Sequence, residues 1–270
     1  MVTLADGGVA LLGGLDANDT STSAVTLLSG EHVSTLARLP QAQHDAQAAM
    51  LGGQAYVFGG GQVSSYDHVL RLDPATDNVS EVGVLPSPAS DVAVAAAGGD
   101  AYVIGGYDGV QALDTILGWH PGQPAKLVAR LPLSLRYAAA ATIGGQILIV
   151  GGSHGETAED EILRFDPVSR SVTRIGRLPR RLTHASAVTF GAYVYVLGGR
   201  GSSPESQTSA IFAIDPLDGA VTRAGRLPLA LSDAAAIAVQ GQILLAGGRR
   251  SNGTQSSIFA LEPRPRVPAG

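Results

Sequence analysis

Cysteine is absent from this chain of 270 residues, which excludes disulfides, thiolate metal ligands and a thiol nucleophile. Lysine occurs once, at Lys126, so the cationic side chains are almost all arginine. The net charge of −5 argues against a nucleic-acid partner. No apolar run reaches the roughly 18 residues that a membrane-spanning helix needs, so we expect no membrane insertion.

Sequence signatures of catalysis are missing as well. The chain contains no G-x-S-x-G, no H-E-x-x-H and no P-loop, which are short motifs with a known catalytic or phosphate-binding geometry. We therefore predict no catalytic residues, no cofactor and no bound metal.

Glycine pairs mark the chain at an almost constant interval. Successive pairs are 46, 46, 46, 47 and 49 residues apart, and a Leu-Pro pair lies 20 residues before each pair from the second onward. The pairs are Gly13-Gly14, Gly59-Gly60, Gly105-Gly106, Gly151-Gly152, Gly198-Gly199 and Gly247-Gly248. A fixed period of this length is typical of folds built from copies of one supersecondary unit. Because the repeat runs from end to end, we predict a single domain over residues 1–270.

One repeat contains the pattern of four short antiparallel strands. In the copy that begins at Leu131, strands are predicted over residues 137–143, 147–150, 161–165 and 171–175, with Gly-Gly and Asp-Pro turns at their ends. The first strand is rich in alanine, which suits a position near an axis where several sheets converge. The pattern predicts an all-β fold, a six-bladed β-propeller with four antiparallel strands per blade.

These features resemble the Kelch-repeat β-propellers over essentially the whole chain. The shared pattern is an apolar strand, Gly-Gly, a polar loop, an aromatic or apolar residue before Asp-Pro, and then Leu-Pro. The sequence departs from the family where a tryptophan is expected six residues after the Asp, since Val79, Val172 and Val221 stand there. The single tryptophan, Trp119, falls in a third strand, and we predict that it is part of the core.

The resemblance to bacterial multi-domain Kelch proteins implies that the chain is one part of a longer, extracytoplasmic protein. The last repeat ends after its third strand, and the N-terminus opens inside an innermost strand. We therefore predict a three-stranded last blade and a ring closed without strand exchange. The protein is expected to be a monomer whose exposed blade edge permits association.

Loop lengths indicate which face of the propeller binds. The loop after each glycine pair and the Leu-Pro loop lie on one face, and all length variation falls after the glycine pair. Insertions in repeat proteins collect on the binding face. In Kelch propellers that bind peptides, residues five and six places beyond the Leu of Leu-Pro line the pocket mouth, as do those just after the glycine pair.

The candidate ligand-binding residues stand at these positions, and most of them are of a type found there in a single copy. They are Arg136, Tyr137, His184, Tyr107, Arg200, His44, Asp91 and Arg249. An arginine fork suits a carboxylate, and tyrosine offers a rigid amphipathic face. The alternative that Arg136 only pairs with Asp91 of the neighbouring blade stays open. Asp45 and Asp233 recur at the offset of Asp91, and we interpret them as structural acceptors.

The histidines are not expected to bind a metal. His44 and His184 fall on opposite sides of the ring, about 20 Å apart if packed sheets are about 10 Å apart. Two ligands of one zinc lie only about 2 Å from the ion. His32, His68 and His120 fall near strand ends or turns and are expected at the surface.

We expect a non-enzymatic recognition or scaffold module that binds a peptide, protein or glycan on the loop face. The alternative is a sugar mutarotase or epimerase of the sialic-acid kind, because bacterial six-bladed Kelch proteins include such enzymes. It would use Asp91, Arg136 and His184 at the channel mouth. A purely structural role, with the face covered by another domain, is the third possibility. A carboxylate with a raised pKa in a closed pocket would favour the enzyme hypothesis. A broad surface of mixed charge would favour the recognition module.

Overall fold

The structure is a computed structural model that describes residues 1–30 and 32–262. Over this part of the chain all regular secondary structure is β-strand, and no helix long and apolar enough to cross a membrane is present. The strands form antiparallel sheets that follow one another along the chain.

Four consecutive sheets have four strands each. Sheet 1 consists of β1 (Val2–Thr3), β2 (Val9–Leu12), β3 (Thr22–Ser29) and β4 (His32–Gln43). Sheet 2 consists of β5 (Gln47–Leu51), β6 (Gln54–Phe58), β7 (His68–Asp73) and β8 (Asn78–Val84). Sheet 3 consists of β9 (Ala93–Ala97), β10 (Asp100–Ile104), β11 (Thr115–Trp119) and β12 (Lys126–Arg130). Sheet 4 consists of β13 (Ala139–Ile143) and β14 (Gln146–Val150), then, after a small hairpin of β15 (Ser153–His154) and β16 (Thr157–Ala158), β17 (Glu161–Asp166) and β18 (Ser171–Arg177).

The remaining strands share one long strand. They are β19 (Ser186–Phe190), β20 (Tyr193–Leu197), β21 (Thr208–Ile214), β22 (Val221–Val239), β23 (Gln242–Arg250), β24 (Gly253–Thr254) and β25 (Ile258–Leu261). The first part of β22 pairs with β21, and its second part, from Ser232, pairs with β23. Sheet 5 is therefore β19-β20-β21-β22, and sheet 6 is the second part of β22 with β23 and β25.

The innermost strands of the sheets form a closed circle. Each of β1, β5, β9, β13, β19 and the second part of β22 approaches the next, and β22 also approaches β1. Apolar side chains fill the spaces between consecutive sheets. The predicted all-β propeller is confirmed. That each sheet is one blade of a six-bladed ring is our interpretation of this circle.

Trp119 lies in the core between sheets 2 and 3, as predicted. Its side chain is 1% exposed. The indole ring is 4.9 Å from the ring of Tyr56 and 5.4 Å from that of Phe58, centroid to centroid. Burying an aromatic side chain of this size stabilises the fold by about 2–3 kcal/mol. Trp119 therefore fastens two neighbouring sheets rather than a ligand.

The expectation that His68 lies at the surface is wrong, whereas His32 and His120 are exposed. His68 is 7% exposed, and its Nε2 is 2.6 Å from Oε1 of Gln43, which is fully buried. Gln43 stands where the later repeats have Ala89, Leu135, Leu182 and Leu231. A buried amide at an otherwise apolar position needs a hydrogen-bond partner, and His68 supplies it.

The first and last sheets are held together by side chains. Arg249 donates two hydrogen bonds to the carboxylate of Asp19, at 2.9 and 3.0 Å, and Thr254 Oγ1 donates to the carbonyl oxygen of Asp16 at 3.0 Å. The ion pair is largely exposed, so it contributes about 1 kcal/mol at most. Sheet 6 has three strands within the described residues. Whether a fourth follows concerns residues 263–270, which lie outside them.

The glycine pairs contact the segments that lead from one sheet to the next. In five of the pairs the first glycine has a φ of +59° to +70°, and a Cβ there would lie 2.0–2.6 Å from a carbonyl oxygen of that segment. The acceptors are the carbonyls of Gln43, Ala89, Leu135, Leu182 and Leu231. The second glycine donates its N–H to the same oxygen at 2.8–3.0 Å. Only glycine allows this approach.

Gly151→Ala should destabilise the fold far more than Gly144→Ala. The two glycines have almost the same φ, +60° and +58°, but a Cβ on Gly151 would lie 2.2 Å from the carbonyl oxygen of Leu182, whereas one on Gly144 would meet nothing within 4 Å. Gly144→Ala should cost about 1–2 kcal/mol for the left-handed backbone alone, and Gly151→Ala at least about 2 kcal/mol more. Urea unfolding measures both, and equal losses would contradict the clash.

Candidate functional site

Five residues from five sheets form an arc around the axis on the loop face. They stand six places beyond the Leu of each Leu-Pro pair and are Asp45, Asp91, Tyr137, His184 and Asp233. We call them the collar. Each has a left-handed φ between +52° and +60°. The backbone N–H of each member after Asp45 donates to the carbonyl oxygen of the member before it, at 2.9–3.2 Å. The collar thus links sheets 2 to 6, which offsets the strain of non-glycine residues in this conformation.

A second set of predicted positions is joined to the collar by backbone pairing. The residue before each collar member forms an antiparallel bridge with the residue directly after a glycine pair. The pairs are His44 with Gly61, Ser90 with Tyr107, Arg136 with Ser153, Thr183 with Arg200 and Ser232 with Arg249. The residues five and six places beyond the Leu of Leu-Pro and those directly after the glycine pair therefore belong to one rim.

Five of the eight predicted residues form a continuous row of stacked side chains across sheets 3, 4 and 5. The guanidinium carbon of Arg136 lies 4.1 Å from the ring centroid of Tyr107 and 5.1 Å from that of Tyr137. Tyr137 stacks on His184 with the centroids 3.7 Å apart, and Arg200 Nη2 is 3.2 Å from His184 Nε2. We call these residues the stacked row. Cation–π contacts of this kind contribute about 0.5–1 kcal/mol each.

Arg136 pairs with Asp91, which is the alternative that the sequence left open. Arg136 Nε donates to Asp91 Oδ2 at 2.6 Å, and Nη2 contacts the same oxygen. The Asp91 side chain is only 3% exposed, so its charge depends on this partner. The guanidinium also donates to the Tyr137 hydroxyl at 3.4 Å. The fork of Arg136 is therefore engaged within the protein, and it orders the row rather than standing open for a carboxylate.

Carboxyl groups crowd at the inner side of the collar. Burial raises the pKa of Asp45. The negative charges of Asp91 and Asp233 raise it further, and so does a hydrogen bond to Asp91, which favours the protonated form. Burial also raises the pKa of Asp233. The Asp45 side chain keeps 31% of its surface exposed towards the axis. Asp45 is thus a carboxyl group that keeps its proton to higher pH than a free aspartate and can still reach a ligand.

His184 is held neutral. Burial lowers the pKa of His184 to about 3, and the charges of Arg200 and Arg136 act in the same direction. The hydrogen-bond network assigns the tautomer: Nε2 accepts from Arg200, and Nδ1 lies 3.0 Å from Thr183 Oγ1, to which it donates. The imidazole is therefore a flat, uncharged stacking partner for Tyr137 at any physiological pH.

A cavity of about 390 Å³ lies on the axis inside the collar. All five collar residues line it, together with His44 and Arg249. Small-molecule sites in proteins have volumes of about 300–1,000 Å³, so the cavity is large enough for a ligand of the size of a sugar or a peptide side chain. Its wall combines the rings of Tyr137 and His184 with several carboxyl groups.

The other predicted residues have different surroundings. His44 lines the cavity, where its Nδ1 is 2.8 Å from Ser21 Oγ and its Nε2 is 3.7 Å from Asp45 Oδ2. Arg249 also lines the cavity, but its guanidinium is bound to Asp19. In the described part of the chain, no group of three or more His, Asp or Glu side chains is arranged to hold a metal ion.

Sequence reasoning underrated Asp45 and Asp233. Both were interpreted as structural acceptors because aspartate recurs at this offset in three of five repeats. The recurrence itself was the signal. Equivalent positions in a ring face one another across the axis, so a charged residue repeated at an inner offset produces an electrostatically coupled group.

The fold and the site define the class of this protein, a β-propeller with a ligand-sized cavity at its axis. Residues 134–179 match the Kelch motif. Among solved structures, the chain is similar to the one described as "Structure of YjhT", with a TM-score of 0.79 and 15% identity over 95% of this chain and 94% of that chain. At this identity the likeness shows the fold alone. No curated protein matches the sequence. The resemblance to the Kelch-repeat β-propellers is confirmed.

Arg136→Ala should destabilise the fold by about 3 kcal/mol, because removal of one partner leaves the buried carboxylate of Asp91 without a counter-charge. The double variant Arg136→Met with Asp91→Asn removes both charges and should recover part of the loss. Urea unfolding at neutral pH measures all three proteins. A single variant as stable as the unmodified protein would show that Asp91 is not held by this pair.

Asp45→Asn should become more stable, relative to the unmodified protein, as the pH rises from 4 to 8. An unfolded aspartate loses its proton near pH 3.8, whereas Asp45 in the fold retains it to higher pH. Above pH 3.8 the unfolded state therefore binds fewer protons than the native state, and stability falls with rising pH. We expect a relative gain on the order of 1–3 kcal/mol for the variant.

The control is Asp166→Asn, because backbone N–H groups of Ser169 and Val168 lower the pKa of this exposed carboxyl. It should show no gain with rising pH. Urea unfolding at several pH values tests both variants. Parallel stability curves for Asp45→Asn and the unmodified protein would contradict a raised pKa at Asp45.

Proposed function

We propose that this protein is a non-enzymatic recognition module that binds a peptide, protein or glycan at the cavity mouth on the loop face. The observation that carries the proposal is the stacked row, in which Tyr107, Arg136, Tyr137, His184 and Arg200 run from the rim to the axial cavity. Architecture does not require these residues, because other repeats have Ser, Thr or Asp at the same offsets.

Three features of the row support binding. Its side chains are fixed by stacking and hydrogen bonds, so little conformational freedom is lost when a ligand docks. Aromatic and arginine side chains dominate the energetics of protein recognition sites. The row lies beside the partly exposed Asp45, so apolar, cationic and acidic groups are presented together, as a mixed polar ligand requires.

Tyr107→Ala should weaken binding to ligands found in a screen of glycans and peptides at least tenfold. Tyr107 is partly exposed at the rim end of the row, and its hydroxyl bonds only locally, to the carbonyl of Gly109, so the variant should fold. His154→Ala is the matched control, because His154 lies on the same face and bonds only to Ser134. Equal affinity of Tyr107→Ala and the unmodified protein would place the binding site elsewhere.

A second function, a sugar mutarotase of the sialic-acid kind, is favoured by one observation. Asp45 is partly exposed and has a raised pKa, and Asp91 lies on the same cavity wall, so a group suited to act as an acid has a second carboxyl group beside it. In such a reaction an acid protonates the ring oxygen while a base removes the proton of the anomeric hydroxyl, which opens the ring. Asp91 is bound to Arg136, so the acid in this protein would be Asp45.

The two functions are separated by a rate measurement. Dissolved N-acetylneuraminic acid of one anomeric form is followed by proton NMR as it equilibrates. An enzyme accelerates equilibration in proportion to its concentration, and Asp45→Asn abolishes the acceleration. A recognition module binds without any change in this rate.

A further inference from the structure

We propose that a groove on the turn face, opposite the loop face, binds a small tetrahedral oxyanion such as sulfate or a phosphate group. The groove has a volume of about 270 Å³ and lies between sheets 3 and 4. Its walls are the turn between β11 and β12 and the turn between β17 and β18. It does not share a residue with the axial cavity.

Cationic side chains converge on this groove from two sheets. Lys126, the only lysine of the chain, and His120 come from sheet 3, and Arg170 comes from sheet 4. The carboxylate that lines the groove, Asp100, is 2.7 Å from His120 Nδ1 and is thereby occupied. No second carboxylate lines the groove to neutralise Lys126 or Arg170.

The charges of Lys126 and Arg170 are not used by the fold. Within the described residues neither side chain forms an ion pair or a hydrogen bond. Elsewhere, six arginines bind carboxylates, namely Arg130, Arg136, Arg174, Arg177, Arg181 and Arg249. In a chain whose 23 acidic residues outnumber its 18 basic ones, Lys126 and Arg170 give this groove an excess of positive charge, which favours an anion.

The residue type at position 170 is not dictated by the turn. Arg170 has a left-handed φ of +58°, which is unfavourable for a side chain other than glycine. The equivalent turn of sheet 5 has Gly219 with a φ of +73°. The equivalent turn of sheet 2 has Asp77 with a φ of +53°, so this position accepts different side chains, and glycine would avoid the backbone cost of arginine.

Tyr102 adds a hydroxyl donor to the floor of the groove. Its ring is buried and packs edge-on against Phe165, at 5.2 Å between centroids. Burial and the charge of Asp100 raise the pKa of Tyr102 and the charge of Arg170 lowers it, so both charged groups act on the hydroxyl. Within the described chain this hydroxyl has no hydrogen-bond partner. A guanidinium, an ammonium and a hydroxyl offer donors in three directions, which suits the several oxygens of sulfate or phosphate better than the two of a carboxylate.

The single lysine makes the groove directly observable. Protein labelled with ¹³C at lysine Cε gives one resonance set, from Lys126, which is followed by NMR during titration with sodium sulfate, inorganic phosphate or acetate. Sodium chloride keeps the ionic strength constant. We expect saturable shifts in the millimolar range for sulfate and phosphate, and weaker binding of acetate.

Arg170→Gly is the decisive variant, because glycine accepts the φ of this turn and the fold should be at least as stable as before. It should weaken sulfate and phosphate binding at least fivefold. Arg180→Gln, a change of an exposed arginine on the loop face, should leave the titration unchanged. Shifts that do not saturate, or that are the same in Arg170→Gly, would show only a general ionic effect and would overturn the proposal.

Discussion

In five of the six sheets, one carbonyl oxygen fixes the segment that leads to the next sheet. It accepts the N–H of the second glycine of a pair, at 2.8–3.0 Å, while the first glycine passes so close that a Cβ could not be accommodated. The interaction needs two consecutive residues with positive φ, which is why the motif is a pair and why it recurs with the repeat. The wedge between neighbouring sheets is set at this point.

The site follows from the same contact. The accepting carbonyl belongs to the residue four places beyond the Leu of Leu-Pro, so the two residues after it are carried to the rim beside the loop that leaves the glycine pair. Backbone bonds keep the collar in place whatever its side chains are. Three aspartates, a tyrosine and a histidine therefore occupy equivalent positions, and the scaffold leaves the chemistry of the axial cavity free to vary.

Much of this arrangement could be predicted from the sequence, because the copies of a repeat can be aligned and equivalent positions identified. Periodicity and side-chain size account for the strands, the glycine bends and the buried Trp119. They also account for the common rim formed by the residues beyond Leu-Pro and those directly after the glycine pair. What could not be predicted depends on distances across the axis. The pKa of Asp45 is raised by burial and by carboxylates from sheets 3 and 6; the recurrence of aspartate indicates that these groups face one another, but not how deeply they are buried or how close they lie. His68 was misplaced because its burial depends on Gln43, an exception within the preceding repeat.

The two proposed sites differ in electrostatic character. On the loop face, the acids of the collar are partly compensated by Arg136 and Arg200, and the resulting surface is mixed. On the turn face, the groove of Lys126 and Arg170 is uncompensated. The two sites have no residue in common and lie on opposite faces. Their binding free energies should therefore add independently, as expected for distant sites without shared partners. The two proposals together expect two different ligands, one in the axial cavity of the loop face and one in the groove of the turn face.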